Sequence, residues 1–172
     1  MIIGIMAMDS SNGIGIQNAI PWHNKDDMKH FKETTLNQTV VIGANTYRGL
    51  QPYFKKEILP NRTKLILSNY DYIGNELGYK LNEILEHLNS HYSKLYYIIG
   101  GKTVYDIVGI YDLYDQLIIT VVDGTFECDT YMDNMVFGED RKELYYFNIK
   151  FILTYVNPIT DGNIFYYTKE IT

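Results

Sequence analysis

Apolar residues fall in short runs along the chain, separated by amphipathic stretches and by clusters of turn-forming residues. The run from Ile2 to Met8 is apolar almost throughout, which predicts a strand buried on both faces. The same patterning predicts the remaining elements, which are strands over 39–42, 64–68, 95–99 and 116–122, helices over 25–34, 81–88 and 103–108, and a terminal hairpin over 148–155 and 163–169.

This order of elements indicates the fold class. Strands that alternate with helices form a parallel sheet covered on both faces, and the strands at the end of the chain add to one edge in an antiparallel direction. We therefore predict an α/β fold. Because 172 residues can bury one sizeable core, a single domain spanning 1–172 is expected.

The composition argues against several classes of partner. The net charge is -6 and no Lys or Arg cluster occurs, so we expect no nucleic-acid partner. The apolar runs are far shorter than the roughly 20 residues that cross a bilayer, so we expect no membrane partner. The amino terminus has no secretory pattern and the chain has one cysteine, Cys128, which together indicate the cytoplasm.

A long segment without regular patterning follows the first strand. It runs from Ile14 to Trp22, contains glycine and Pro21, and is predicted to be an irregular loop of the kind that carries function. From the local pattern, Trp22, the only tryptophan, is interpreted as a partly buried anchor that fixes where the next helix begins.

Asp27 stands in the first turn of that helix. Asn24 is the predicted N-cap, and Asp26 and Asp27 come where the helix dipole favours negative charge. Asp27 precedes Phe31 by one turn, so it borders the apolar face and could point into a pocket, where desolvation would raise its pKa. The alternative is that first-turn acids serve the dipole alone, and Asp26 fits that alternative.

Two predicted strand-to-helix turns end in glycine, at Gly43 and at Gly100-Gly101. Such turns lie at the carboxyl ends of parallel strands, where free helix N–H groups bind anions, so the pair could hold a pyrophosphate. Taken alone, each glycine could simply close a tight turn. The phosphate-loop motif fails because Tyr96 replaces its first glycine, and the dinucleotide fingerprint fails at both turns.

Neither metal nor nucleophilic chemistry is indicated. His87 and His91 have the spacing of metal ligands on a helix, but Leu88 stands where a zinc protease carries glutamate, and no third ligand stands out. His23 and His30 have no serine or cysteine in a nucleophile elbow with which to act. We therefore predict no metal and no covalent intermediate.

Several short motifs occur in one order along nearly the whole chain. They are GIQNAIPW (15–22), DMKHFK (27–32), VIG (41–43), LPNR (59–62), ILS (66–68), IGG (99–101) and DTY (129–131). In this combination the chain resembles the dihydrofolate reductase family. The resemblance implies a three-layer fold, with a central, mostly parallel eight-stranded sheet, an antiparallel C-terminal strand and helices on both faces.

The resemblance also implies a reaction, which is hydride transfer from nicotinamide C4 of NADPH to pterin C6 of dihydrofolate. The product, tetrahydrofolate, supports one-carbon and thymidylate metabolism. Asp27, Trp22 and Thr120 are the residues implied to be catalytic, with Asp27 bonding the pterin, Thr120 supporting Asp27 from a neighbouring strand, and water carrying the proton to pterin N5. Antifolates are implied as inhibitors, and we expect a monomer.

The pterin pocket implied by the resemblance has Asp27 as its polar floor. Arg62 is implied to bind the α-carboxylate of the glutamate tail through its planar fork. The residues implied to line the pocket are Ile5, Ala7, Ile20, Met28, Phe31, Leu50 and Ile99. The stretch from Gln51 to Ile58 is longer than in most members of the family, and we expect it to alter the tail end of the site.

The cofactor site implied by the resemblance combines the long loop, the two glycine turns and the strand end at 67–69. Its residues are Ala7, Ile14, Gly15, Asn18, Ala19, Gly43, Ala44, Asn45, Thr46, Leu67, Ser68, Asn69, Ile99, Gly100, Gly101, Lys102, Thr103, Val104 and Tyr105. Many family members have arginine in place of Ala44 and serine in place of Asn69, where both hold the 2′-phosphate of NADPH. Lys102 replaces a third glycine and its charge could compensate, so NADH is an alternative to NADPH.

Two other functions are compatible with this resemblance. The departures at Ala44 and Asn69 leave open a protein of this fold that holds folate or dinucleotide without turnover. A reductase that acts on a pyrimidine in riboflavin synthesis shares the fold, but that function gives no reason for Asp27 beside Phe31.

Overall fold

The computed structural model describes residues 1–90 and 94–171. Within these ranges the helices are α1 (Lys25–Thr35), α2 (Ala44–Gly49), α3 (Leu81–Ser90) and α4 (Lys102–Ile110). The strands are β1 (Ile2–Met8), β2 (Gly13–Gly15), β3 (Thr39–Gly43), β4 (Thr63–Leu67), β5 (Tyr72–Ile73), β6 (Glu76–Tyr79), β7 (Tyr96–Gly100), β8 (Gln116–Val122), β9 (Thr130–Tyr131), β10 (Met135–Phe137), β11 (Glu143–Tyr146), β12 (Ile149–Ile159) and β13 (Gly162–Lys169).

One large sheet has the strand order β10-β11-β12-β13-β8-β1-β7-β3-β4-β6-β5, and β2 pairs separately with β9. The block from β8 to β6 is parallel, whereas β10 to β13 and β5 are joined to it in antiparallel pairs. The predicted α/β class is confirmed. The sheet of the described residues nevertheless has eleven strands rather than eight, and half of its strand pairs are antiparallel.

One tight turn explains how β11, a strand that the sequence pattern did not predict, joins the sheet beside β12. Phe147 and Asn148 join β11 to β12 with φ angles of 48° and 65°, the left-handed values of a two-residue hairpin turn. Phenylalanine is not typical of such a turn, so the sequence pattern did not predict β11. The predicted hairpin of β12 and β13 is confirmed, and β12 continues through Pro158 because β11 pairs with it only as far as Ile152.

The helices cover both faces of the sheet, each over its own apolar cluster. Ile84 of α3 and Val104 of α4 belong to the first cluster. Tyr47 of α2 belongs to the second, and Phe31 of α1 packs against it. Successive side chains of a strand point to opposite faces, so β1 contributes residues to both clusters. This agrees with the prediction that an almost entirely apolar strand is buried on both faces.

Ile98 of β7 provides a test of this core. Its side chain is 0% exposed in the middle of the sheet, so Ile98→Ala should lower the free energy of unfolding by about 2–5 kcal/mol through lost burial and the cavity left behind. Urea denaturation of the purified protein measures this difference. The matched substitution Ile110→Ala, where the side chain is 62% exposed, should cost far less, and equal losses at the two positions would contradict the assigned core.

Candidate active site

The start of α1 orients two neighbouring acids in different directions. The Asn24 side chain accepts a hydrogen bond from the Asp27 N–H at 3.0 Å, which confirms Asn24 as the predicted N-cap. Asp26 turns toward the β12–β13 hairpin and accepts from the Thr160 N–H at 2.9 Å. That bond lowers the pKa of the exposed Asp26 carboxyl. Asp26 therefore behaves as a solvated first-turn acid, whereas Asp27 is directed toward the protein.

Asp27 lies in an environment that opposes its charge. Burial raises the pKa of its carboxyl, and the smaller opposing effects of the Thr120 side chain and of the nearby His30 do not reverse this shift. Thr120 is 1% exposed in β8, directly opposite Ala7 of β1. The structure thus brings together Asp27 and Thr120, the pair expected from the sequence, and holds the carboxyl against the middle of the sheet.

The apolar residues expected around Asp27 divide into two groups. Ile5 and Ile99 belong to the second apolar cluster, and Phe31 and Leu50 pack against it. Ala7 is the register partner of Thr120 on the same sheet. Ile20 and Met28 lie outside this cluster and are 49% and 48% exposed, so they are available at the rim rather than buried in the protein.

His30 is a residue of this region that the sequence did not assign to the site. Its ring is partly buried and edge-on to Tyr166, with Nδ1 3.4 Å from the Thr34 hydroxyl. Nε2 is buried without a hydrogen-bond partner in the described part of the chain. Burial lowers the pKa of the imidazole in spite of the nearby Asp27 charge. The spacing of His30 one turn after Asp27 was the available signal.

The two glycine turns come together at the carboxyl ends of β3 and β7, which are neighbours in the sheet. A Cβ on Gly43 would meet Val104 at 3.2 Å, and one on Gly101 would meet the Thr46 hydroxyl at 2.6 Å. Both Gly43 and Gly101 are helix N-caps without a side-chain cap hydrogen bond. The backbone N–H groups at the starts of α2 and α4 can therefore face an anion, and there is no room for larger residues.

The second turn is joined to the central strand through Tyr105. Gly100 has a φ of 119°, which favours glycine, and the Gly100-Gly101 peptide bond is cis. The Tyr105 hydroxyl, from the first turns of α4, donates to the Ile5 carbonyl at 2.7 Å. Burial raises the pKa of this hydroxyl well above its usual range. This bond fixes the glycine turn relative to β1 and hence to the Asp27 region.

The long loop is ordered by its own turn and by its contact with α2. Ile16 and Ala19 exchange two backbone hydrogen bonds around Gln17 and Asn18, whose φ angles are 50° and 61°, as in a tight hairpin. The Asn18 carbonyl approaches Gly49 so closely that a Cβ there would lie 2.8 Å away. Asn18, one of the expected cofactor residues, therefore lies beside the end of α2, which begins at the first glycine turn.

Trp22 ends this loop and is only partly buried. Its ring packs against Phe126 with a centroid distance of 5.4 Å and a tilt of 57°. Phe126 comes from the segment between β8 and β9, which the sequence did not connect with the loop.

Three side chains are expected near the 2′-phosphate of the cofactor, and none of them is an unpaired cation. They are those of Ala44, Asn69 and Lys102. Ala44 is uncharged, and Asn69 is exposed after the buried Ser68, whose hydroxyl accepts from the Tyr70 N–H at 3.0 Å. Lys102 Nζ lies 2.6 Å from a carboxylate oxygen of Asp133. Compensation of the missing arginine by Lys102, as expected from the sequence, would require this ion pair to open.

The remaining cofactor candidates lie around the same strand ends. Leu67 closes β4, which pairs with β3, and Asn45 and Thr103 are exposed in the first turns of α2 and α4. The Asn45 side chain accepts from Arg48 at 3.1 Å.

Arg62 already has partners within the protein. Its guanidinium donates to the Thr35 hydroxyl at 3.1 and 3.2 Å, to the Lys32 carbonyl at 3.2 Å and to the Pro60 carbonyl at 2.7 Å. The fork therefore caps the end of α1, and a bound carboxylate would have to share or replace these contacts. Burial lowers the pKa of this guanidinium.

Lys64 of β4 attaches the stretch from Gln51 to Ile58 to the sheet. The Lys64 ammonium is 4% exposed and lies 3.1 Å from Glu57 and 3.0 Å from Glu76, and it donates to the Ile58 carbonyl at 2.9 Å. This buried ion group fixes the end of the stretch that leads to Arg62.

Two negative findings apply to the described residues. No group of three or more His, Cys, Asp or Glu side chains there could hold a metal ion, and His91, one of the two spaced histidines, lies outside the described residues. No helix in residues 1–90 and 94–171 is long and apolar enough to cross a membrane.

The desolvated Asp27 carboxyl lies beside an apolar cluster. The two glycine turns at Gly43 and Gly100-Gly101, here called the glycine cradle, lie at the ends of neighbouring parallel strands. This arrangement is that of an α/β reductase that uses a dinucleotide. The chain belongs to the dihydrofolate reductase family, whose sequence profile matches residues 1–144.

Relatives and a solved structure extend the match to nearly the whole chain. A dihydrofolate reductase of Ureaplasma parvum is 33% identical over 138 residues, 78% of this chain and 85% of that protein. One of Mycoplasma genitalium is 30% identical over 177 residues, 99% of each chain. The structure of Enterococcus faecalis dihydrofolate reductase complexed with NADP(H) and RAB-propyl has a TM-score of 0.78 at 28% identity, covering 99% of this chain and 97% of that one.

The opposite pKa shifts of Asp26 and Asp27 predict opposite pH effects on stability. Because the pKa of Asp27 is raised above 3.8 in the folded protein, the stability it contributes when protonated is present below that value and is lost as the pH rises through the raised pKa. The asparagine side chain of Asp27→Asn is neutral at every pH. The free energy of unfolding of this variant, relative to that of the wild type, should therefore increase as the pH rises from about 3 to about 7.

Asp26→Asn is the matched control. The pKa of Asp26 is lowered, so its charge stabilises the fold above pH 3.8 and this contribution is lost as the pH falls through the lowered pKa. The variant should therefore be less stable than the wild type at neutral pH and approach it in acid. Urea denaturation over this pH range checks both signs, and parallel pH curves for the two variants would refute the assignment of the buried carboxyl.

Proposed function

We propose that this protein reduces 7,8-dihydrofolate to 5,6,7,8-tetrahydrofolate with NADPH and so supports one-carbon and thymidylate metabolism. The observation that carries the proposal is the desolvated Asp27 carboxyl, which lies near the Thr120 side chain beside the apolar cluster. The two oxygens of this carboxyl match the two adjacent N–H donors on the amidine-like edge of a pterin, and such charge-assisted pairs are stronger than neutral ones. The flat ring fits against apolar side chains such as Ile5, Phe31 and Ile99.

The glycine cradle fits the pyrophosphate of the cofactor. Gly43 and Gly101 leave backbone N–H groups uncapped, and Cβ atoms at these positions would fill the space. When bound, NADPH supplies the hydride that is transferred from nicotinamide C4 to pterin C6. The residues of the long loop, the strand end at 67–69 and the first turn of α4 complete the cofactor site in this proposal.

The protein contributes orientation, electrostatics and exclusion of water. Asp27 anchors the pterin and, with Thr120, controls its tautomer and its charge, and water carries the proton to N5. Trp22 and the loop from Asp9 to Trp22 cover the nicotinamide side, which keeps other water away from the reacting atoms.

One helix sets the distance between the two ends of the substrate. Asp27 lies in the first turn of α1 and Thr35 ends the helix, a separation of eight residues or about 12 Å at the helical rise. Arg62 is bonded to Thr35 and therefore stands at the far end, where it binds the α-carboxylate of the glutamate tail. Ile20, Met28 and Leu50 line the path between them.

Further properties follow from the same proposal. The enzyme acts as a single domain and as a monomer in the cytoplasm, binds antifolates in the pterin pocket, and has no nucleic-acid or membrane partner. NADPH is the preferred cofactor, and NADH is the competitor to measure, because Ala44 is uncharged and Lys102 is paired with Asp133.

Turnover tests the proposal directly. The purified protein mixed with dihydrofolate and NADPH should consume the cofactor, seen as a loss of its near-ultraviolet absorbance. Asp27→Asn should lower kcat about 100-fold or more at pH 7, because the ionisable anchor of the pterin is lost, while NADPH binding is retained. Asp26→Asn serves as the control and should stay close to the wild-type rate.

Two results would contradict this assignment. No consumption of either NADPH or NADH by the wild type would leave a protein that holds folate or dinucleotide without turnover. Full activity of Asp27→Asn would remove Asp27 from its role.

Arg62→Lys tests the tail site while keeping the positive charge. Lysine cannot form two parallel hydrogen bonds to a carboxylate, so the KM for dihydrofolate should rise by about tenfold and kcat should change less, as expected for uniform binding. Steady-state kinetics of Arg62→Lys and of the exposed control Arg48→Lys measure the split. A fall in kcat with an unchanged KM would place Arg62 outside the tail site.

A further inference from the structure

Asp9 is the most deeply buried charged side chain in the described part of the chain, with 0% exposed. It follows β1 directly and starts the segment that leads to Trp22. An aspartate directly after a strand is typical of a turn, and the carboxyl of Asp9 takes part in no step of the proposed reaction. A buried acid needs partners, because a carboxylate moved out of water without them is very costly.

The partners of Asp9 come from two segments that are far apart in the sequence. One carboxylate oxygen accepts from the Ser11 N–H at 2.9 Å and from the Gly13 N–H at 2.8 Å, both in its own turn. The other accepts from the Phe126 N–H at 2.9 Å and lies 4.0 Å from the Cys128 thiol. Backbone N–H groups donate to a carboxylate through charge-assisted hydrogen bonds. Asp9 therefore ties the start of the loop to the segment between β8 and β9.

The space around this carboxylate is filled. A Cβ on Gly13 would lie 2.6 Å from the Cys128 sulfur and 3.1 Å from a carboxylate oxygen of Asp9. The thiol and the carboxylate thus pack directly on the Gly13 backbone. A side chain at position 13 would push the two segments apart, so the contact depends on a close backbone approach.

Phe126 transmits this connection to Trp22. The backbone N–H of Phe126 is bound by Asp9, and its ring packs against the Trp22 ring. An open surface cleft of about 220 Å³ is lined by both rings, so neither is pressed against a filled core on that side. The position of Phe126 is consequently set by its backbone attachment more than by packing.

We propose that Asp9 is a positioning residue, whose carboxylate fixes Phe126 and thereby the place of the Trp22 ring, which the proposed function puts over the nicotinamide side of the site. The functional part rests on the proposed reductase activity, because Trp22 matters to turnover only there. The structural part, the coupling of Asp9 to Trp22, stands independently of that activity.

Asp9→Asn separates the two halves of the contact. The amide oxygen can still accept from Ser11 and Gly13, as asparagine does in turns, but the NH₂ group would face the Phe126 N–H and cannot accept from it. Trp22 is the only tryptophan, so protein fluorescence reports its environment. We expect a shift in Trp22 emission, a higher acrylamide quenching constant and a fall of about tenfold in kcat/KM for dihydrofolate.

Phe126→Leu and the double variant test the route. Phe126→Leu keeps the N–H bound by Asp9 and removes the ring, so it should also raise the quenching constant of Trp22. If Asp9 acts through Phe126, the effects on kcat/KM will not add in the double variant. Asp140→Asn, an exposed acid in a distant turn, is the matched control and should leave emission, quenching and kcat/KM unchanged.

Hydrogen exchange of the wild-type protein gives a measurement that does not depend on the folding of a variant. The Phe126 amide should be protected, because it is bound by a buried carboxylate. Rapid exchange of this amide would overturn the proposal, and so would an Asp9→Asn variant that is less stable but has unchanged Trp22 quenching and kcat/KM. An inactive wild type with the expected fluorescence changes would refute the reductase function and leave the coupling intact.

Discussion

The approach of the Asp27 carboxyl to the Thr120 side chain connects a helix on the surface of the sheet to one of its inner strands. Thr120 cannot move independently, because β8 is paired with β1 on one side and with β13 on the other. The carboxyl of Asp27 is thereby held where burial works against its charge, and its pKa rises. Every other part of the site is placed relative to this pair, since α1 carries Asp27 at one end and the partners of Arg62 at the other.

The cofactor side depends on the same strands. The Tyr105 hydroxyl bonds the Ile5 carbonyl, so the glycine cradle at the start of α4 is tied to β1, which lies beside β8. The glycine cradle and the Asp27 carboxyl are therefore both attached to the same group of neighbouring strands. The loop above it is attached to the segment after β8 by the β2–β9 strand pair, by the Gln17 N–H bond to Asp129 and by the buried Asp9 contact. A rigid sheet below and a separately attached loop above suit a site that must admit substrate and then exclude water.

The sequence predicted much of the framework but fewer of the contacts. The bounds of β1 and β8 and the N-cap of α1 followed from local patterning, because apolar runs and capping residues act within a few positions. The role of Asp27 was ambiguous on local grounds, and only its place in an ordered set of motifs pointed to the pterin. The partnership of Lys102 with Asp133 and that of Asp9 with Phe126 join distant segments, and no periodicity reports such contacts. The antiparallel strand β11 was missed because the turn at Phe147 has no glycine or proline to mark it.

The position of β1 in the sheet has a consequence for how the chain is made. Its two neighbours, β7 and β8, come much later in the sequence, and the Ile2 N–H finds its acceptor on Asp115, 113 residues away. During synthesis β1 therefore has neither of its neighbours in the sheet until β7, which begins at Tyr96, has been made. Apolar strands in this condition are prone to aggregation. A slow step late in translation, or a chaperone that covers the first strand until β8 emerges, would therefore affect the yield of folded protein without altering any residue of the finished site.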